Sequence, residues 1–175
     1  RGWRTERDRR VMAIMTIHWF DGYRWMLNDR PETIYCQTSK SRLIQGQGET
    51  HTSLIIHFQS GCVASLTESF GSHRRTSIPP ILDCDAGSLE ITGAELRVYE
   101  AGRAEPVRTS PATNASMEVA TYMCLADLLD AIEAGGEPPN SGRDNLKTMA
   151  MMEASYKSAK ENRVVHWEEL GVCTD

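Results

Sequence analysis

The stretch from His51 to Phe70 constrains the fold more than any other part of the chain. Leu54, Ile56 and Phe58 alternate with Ile55, His57 and Gln59. After Ser60-Gly61, Val63, Ser65 and Thr67 alternate with Cys62, Ala64 and Leu66. Two period-2 strings joined by a short glycine turn define a β-hairpin. Further short strands are expected at Thr33–Ser39, Ile81–Asp83, Ser88–Thr92, Leu96–Glu100 and Val107–Thr109, with Lys40–Thr50 as a loop. Consecutive hairpin-linked strands make an antiparallel or mixed sheet, with helices gathered on one face.

The helical signals flank this β region. Ile14, Ile17, Tyr23, Met26 and Leu27, mixed with Trp19, Phe20 and Trp25, predict a well-buried helix starting near His18 and ended by Asn28–Glu32. Val119, Tyr122, Met123, Ala126, Leu129 and Ile132 predict a second, stopped by Gly135-Gly136 and Pro138-Pro139. Ser141 and Asp144 have capping-box spacing for a third, with Leu146, Met149, Met152, Tyr156 and Ala159 as its apolar stripe. Val164–Trp167 reads as a closing strand. The fold class is therefore α+β, one domain over residues 1–175, with the methionines as core filler.

Charge and cysteine usage narrow the function. Net charge is −5, and residues 1–10 carry +3 of local balance, which leaves the remainder strongly acidic. That argues against a nucleic-acid surface, which needs a broad basic face. No apolar run suits a membrane span and no signal peptide is visible, so a cytoplasmic protein is expected. Cys36, Cys62, Cys84, Cys124 and Cys173 have no C-x-x-C spacing and read as reduced, mostly core residues. The histidines do not group with them at ligand spacing, so no metal site is expected. The chain opens on Arg1, read as a sign that it comes from a longer protein.

For chemistry, Gly46-Gln-Gly48-Glu-Thr-His51 lacks the third glycine of a dinucleotide fingerprint, and a strand follows it. It reads as a loop. Ser72-His73-Arg74-Arg75 reads as a solvated loop, with an acidic substrate group as the alternative ligand. His18 and Asp21 are the candidate catalytic pair. A histidine opening an aromatic-rich helix can present its imidazole to a pocket, and Asp21, one turn later, can orient it or cap the helix.

Ile17–Leu27 (IHWFDGYRWML) resembles the helix that opens the C-terminal domain of the glucose–fructose oxidoreductase / inositol dehydrogenase / rhizopine-catabolism (Gfo/Idh/MocA) family. Ser53–Phe70, Asp83–Tyr99 and Leu125–Val165 resemble that domain's paired strands, its glycine hairpin, and its closing helices and last strand. The resemblance implies a large, mostly antiparallel mixed sheet with helices on one face, of the dihydrodipicolinate-reductase-like kind. It implies a substrate-binding and oligomerisation role beside a Rossmann domain that this sequence lacks. NAD or NADP would be used by the parent enzyme and not bound by this chain alone. His18 would be the acid/base histidine facing a sugar- or polyol-like hydroxyl. Trp3 and Arg4 would approach the nicotinamide. Ile14 stands where many members carry an aspartate, which leaves a non-catalytic ligand-binding or oligomerisation module as the alternative. Apolar residues on both faces of the hairpin, Ile55 and Val63 among them, predict a homodimer or homotetramer through the open sheet face.

Overall fold

The computed structural model describes residues 6–73, 78–93, 95–111 and 116–171. These separate into two compact units, one formed by the residues up to His73 together with those from Pro139 onward, the other by the residues between.

In the first unit, β1 (Pro31–Ser39), β2 (His51–Phe58), β3 (Val63–Ser69) and β8 (Val165–His166) form an antiparallel sheet in the order β3-β2-β1-β8. The expected hairpin is present, with His57 opposite Val63 and Gly61 at φ +90° in the turn. Thr52, Leu54, Ile56 and Phe58 of β2 point inward, as the period-2 pattern requires. They meet Ile34, Cys36 and Val165 from the sheet, Met12 and Phe20 from the first helical run, and Ala150, Met151, Met152 and Ala154 from α3 (Gly142–Glu161). Both helices therefore cover one face, and every described ladder is antiparallel, in keeping with the α+β class. The other face is more polar than its pattern suggests. Ser53, Ser65 and Thr67 share it with the exposed Ile55 and Val63, and Ser53 and Thr67 form a cross-strand hydrogen bond of 3.0 Å.

The first helix begins earlier than its hydrophobic pattern indicates. A π-helical segment, Met12–Thr16, runs directly into α1 (Ile17–Leu27). His18 is thus inside a continuous helical run, not at its free end. The burial also differs from expectation: Phe20 is the fully buried residue of α1, whereas Trp25 is 84% exposed.

Ser141 caps α3 by accepting from Asp144 N at 3.0 Å, as its spacing predicts. The buried row of this helix runs through Thr148, Met151, Met152, Ser155 and Ser158, while Leu146 is 62% exposed. Small hydroxyl residues let α3 approach β1 closely, and their oxygens are partnered: Thr148 by Arg24 and Asp21 of α1, Ser155 by Met151 O of its own helix. Ser158 Oγ accepts from Cys36 N at 2.9 Å and donates to Arg163 O at 2.5 Å, extending the sheet edge just before the two-residue β8 begins.

In the second unit, β4 (Ile81–Cys84), β5 (Gly87–Ile91), β6 (Glu95–Glu100) and β7 (Arg108–Pro111) form an antiparallel sheet in chain order. At Gly87 (φ +153°) a side chain is impossible, since its Cβ would lie 1.9 Å from Tyr99 O. This unit also holds α2 (Met117–Ala134), which Gly135 ends at φ +67° as expected. Its apolar positions Tyr122, Met123, Leu129 and Ile132 are exposed. Of the described cysteines, only Cys36 is buried, while Cys62 is half-buried and Cys84 and Cys124 are exposed; all four are free thiols. Among the described residues, no helix is long and apolar enough to cross a membrane.

Candidate functional site

Three neighbours of His18 are tied into the protein, and His18 is not. Phe20 is buried in the core. Thr16 Oγ1 donates to Glu68 Oε2, and Trp19 Nε1 donates to Glu68 Oε1 at 3.2 Å. His18 is exposed on another side of the helix, and among the described residues its ring has no hydrogen-bond partner. Residues on a helix are spaced by roughly 100°, so anchoring positions 16, 19 and 20 leaves position 18 turned away from the sheet. An outward imidazole on a fixed turn can exchange a proton with a bound molecule. Ile14, in the π-helical segment, is half-buried.

Asp21 is engaged elsewhere. Its Oδ1 accepts from Thr148 Oγ1 at 3.1 Å and lies 3.7 Å from Arg24 Nη1. Arg24, whose side chain is only 13% exposed, donates to both carboxylate oxygens of Asp144, at 2.6 and 3.2 Å, and to Thr148 Oγ1 at 2.8 Å. These contacts hold α1 on α3. The structure therefore brings Asp21 to Arg24 and Thr148, with no hydrogen bond or ion pair to the His18 ring. Trp3 and Arg4 lie outside the described residues.

Sequence reasoning missed two carboxylates. Glu68 occupies an inward position of β3, in line with Ala64 and Leu66. Burial, with the Glu68 charge second, pushes the Tyr23 phenol up. Glu49 is buried at the start of the first helical run. Its carboxylate accepts from Arg10 N at 2.8 and 2.9 Å, from Met12 N at 3.1 Å and from Tyr156 Oη at 2.8 Å. It caps that helix from 37 residues away in sequence. Burial and the Glu49 hydrogen bond push the Tyr156 phenol far up. The available signal was the single acid of the Lys40–Thr50 loop, placed beside Gly48.

These contacts also bear on nucleotide binding. A helix N-terminus attracts phosphate through its free N–H groups, but here Glu49 already occupies them. The Gly46–Gly48 loop leads into β2 and supplies close backbone approach instead. A Cβ on Gly48 would lie 2.7 Å from Arg7 O and 2.8 Å from Arg10 Cβ. This chain's own residues thus do not form a pyrophosphate cradle at either place. Among the described residues, no three metal-ligating side chains are grouped. A groove of about 260 Å³ beside Arg24, Arg30, Lys147 and Trp167 and a shallower one along Lys40–Gly46 do not include His18.

The sequence profile of the GFO/IDH/MocA C-terminal domain matches residues 1–98, and the chain belongs to that family. It is similar to D-apiose dehydrogenase of Paraburkholderia graminis, with 26% identity covering 93% of this chain and 46% of the relative. The D-apiose dehydrogenase of Rhizobium rhizogenes is 24% identical, covering 91% of this chain and 49% of the relative. Two solved structures share the fold. An oxidoreductase from Agrobacterium radiobacter, in complex with NAD+, L-tartaric acid and magnesium, superposes with a TM-score of 0.80 at 23% identity, covering 96% of this chain and 52% of that one. Levoglucosan dehydrogenase, in complex with NADH and levoglucosan, superposes with a TM-score of 0.80 at 18% identity, covering 94% and 53%. The chain spans about half the length of each of these proteins.

Proposed function

We propose that this chain is the substrate-side domain of a cytoplasmic NAD(P)-dependent sugar dehydrogenase, with His18 as the acid/base residue at the reacting hydroxyl. The observation that carries the proposal is the outward His18, unpartnered among the described residues, on a turn that Thr16, Trp19 and Phe20 anchor. Its setting is a family whose similar members include sugar dehydrogenases. When bound, the nicotinamide cofactor supplies hydride acceptance and return. In the oxidative direction His18 takes the hydroxyl proton as the carbinol hydride departs, and in the reverse direction it returns that proton. Asp21 serves this reading by holding α1 against α3. Trp3 and Arg4 are assigned to the nicotinamide side on resemblance alone. Nucleotide binding belongs to the remaining half of the protein, and self-association to the open face of the β1–β3 sheet.

The test uses the full-length protein, with NAD+ and NADP+ each paired with D-apiose, levoglucosan and L-sorbose. We expect turnover of at least one sugar and a loss of roughly 100-fold in kcat for His18→Ala, the scale of losing a general base. Full turnover in a folded His18→Ala enzyme defeats the assignment. A second reading, a non-catalytic binding or oligomerisation module, is favoured by Ile14 at the usual aspartate position. Saturable sugar binding with no reduction of either nucleotide supports it. Micromolar affinity of the isolated domain for NAD+ overturns the placement of the nucleotide site.

A further inference from the structure

We infer that Glu68 is a positioning residue for His18, an inference that rests on the acid/base reading of that histidine. Strand β3 turns Ala64, Leu66 and Glu68 toward the helices, so the pattern calls for an apolar residue at position 68. A carboxylate there is costly to desolvate unless its oxygens are satisfied. Both are: Thr16 Oγ1 donates to one and Trp19 Nε1, at 3.2 Å, to the other. The two donors bracket His18 in sequence. Thr16 is the last residue of the π-helical segment, and Trp19 is the third residue of α1.

The π-helical segment is what makes such a clamp useful. A π turn shifts the hydrogen-bond ladder from i→i+4 to i→i+5, and such turns recur at functional sites. Residues beyond it have their rotation about the helix axis set afresh. Charge-assisted bonds from positions 16 and 19 to one fixed carboxylate span that junction and set the rotation on both sides. The imidazole at position 18 takes its direction from this. Burial of Tyr23, with Glu68 second, pushes that phenol up, so Glu68 faces a neutral phenol. Proton transfer concerted with hydride departure tolerates little misplacement, since an error of about 1 Å costs on the order of 100-fold.

The test is made in the full-length enzyme, on whichever of D-apiose, levoglucosan or L-sorbose it oxidises. Glu68→Ala is expected to lower kcat about 10-fold, with KM for the nucleotide changed by less than about two-fold. Glu68→Gln recovers most of that loss, because its amide reaches both partners and the Thr16 hydroxyl can reverse its donor role. In a His18→Ala background, Glu68→Ala costs nothing further, as expected for a group acting through the histidine. Thr16→Val, nearly isosteric, reproduces part of the loss and serves if Glu68→Ala does not fold. The imidazole nitrogen signals of His18 in NMR spectra shift in both variants, a readout that needs no turnover. Unchanged signals, full kcat in folded Glu68→Ala or Thr16→Val, or an equal loss in the His18→Ala background overturns the inference. Full turnover in His18→Ala alone defeats the acid/base reading, and the imidazole signals still report whether Glu68 positions the ring.

Discussion

The hydroxyl of Tyr156 on α3 donates at 2.8 Å to Glu49 Oε1, the oxygen that also receives the N–H groups of Arg10 and Met12. One buried carboxylate thus joins the start of the first helical run to the third helix. Arg9 stacks over the same tyrosine, with its guanidinium carbon 4.5 Å from the ring centroid, and pairs with Glu153 on α3. Glu49→Ala leaves two N–H donors and a phenol without a buried acceptor. The expected loss is about 2–4 kcal/mol, the scale of stranding buried groups that had bonded to a charge. Urea unfolding of the full-length protein measures it, and a loss below about 0.5 kcal/mol contradicts the clamp.

How much of this was legible in the sequence depends on where the partner of each residue lies. The β2–β3 hairpin, the Ser141 cap and the Gly135 stop were legible because each signal is local. The start of the first helix was not, because its cap is Glu49, distant in sequence. The buried face of α3 was missed for a related reason. Hydrophobicity points to Leu146 and Met149, but Thr148, Ser155 and Ser158 are buried once their hydroxyls are satisfied. At the site, His18 was legible as a helix-borne histidine, whereas Glu68 was hidden in a strand read only for its apolar alternation.

Tyr156 also carries a pH prediction. Burial first, and then the Glu49 hydrogen bond, raise its pKa in the folded state. A group whose folded pKa is raised stabilises the protein fully below its unfolded pKa, about 10 for tyrosine, and that contribution is lost as pH rises above it. Between pH 10 and 11.5 stability is expected to fall with a slope of up to about 1.4 kcal/mol per pH unit from this residue. Tyr156→Phe is expected to be less stable at pH 7 and to show a shallower alkaline decline. Parallel alkaline curves for the two proteins contradict this.

Gly48→Ala tests the close approach of the loop to the chain entering the first helix. The added methyl meets the Arg7 carbonyl at 2.7 Å and Arg10 Cβ at 2.8 Å, and both belong to a segment held by Glu49. Relief requires backbone movement, so we expect a loss of about 1–3 kcal/mol, the usual range for overpacking. A melting temperature equal to that of the parent protein refutes it.

Arg24→Lys separates geometry from charge. The guanidinium donates to both oxygens of Asp144 and to the Thr148 hydroxyl, which in turn donates to Asp21, so one side chain links three others between α1 and α3. A lysine keeps the charge but cannot reproduce the planar fork. With the Arg24 side chain only 13% exposed, solvent cannot readily replace the lost bonds. The expected cost is about 1–3 kcal/mol, seen as a lower urea midpoint with an unchanged m-value. The Glu68 clamp on Thr16 and Trp19 is left in place. In the folded Arg24→Lys enzyme, kcat should therefore stay within about two-fold of the parent, whereas Glu68→Ala lowers it about 10-fold. A large loss of kcat at full stability would instead place Arg24 in the proton-transfer machinery.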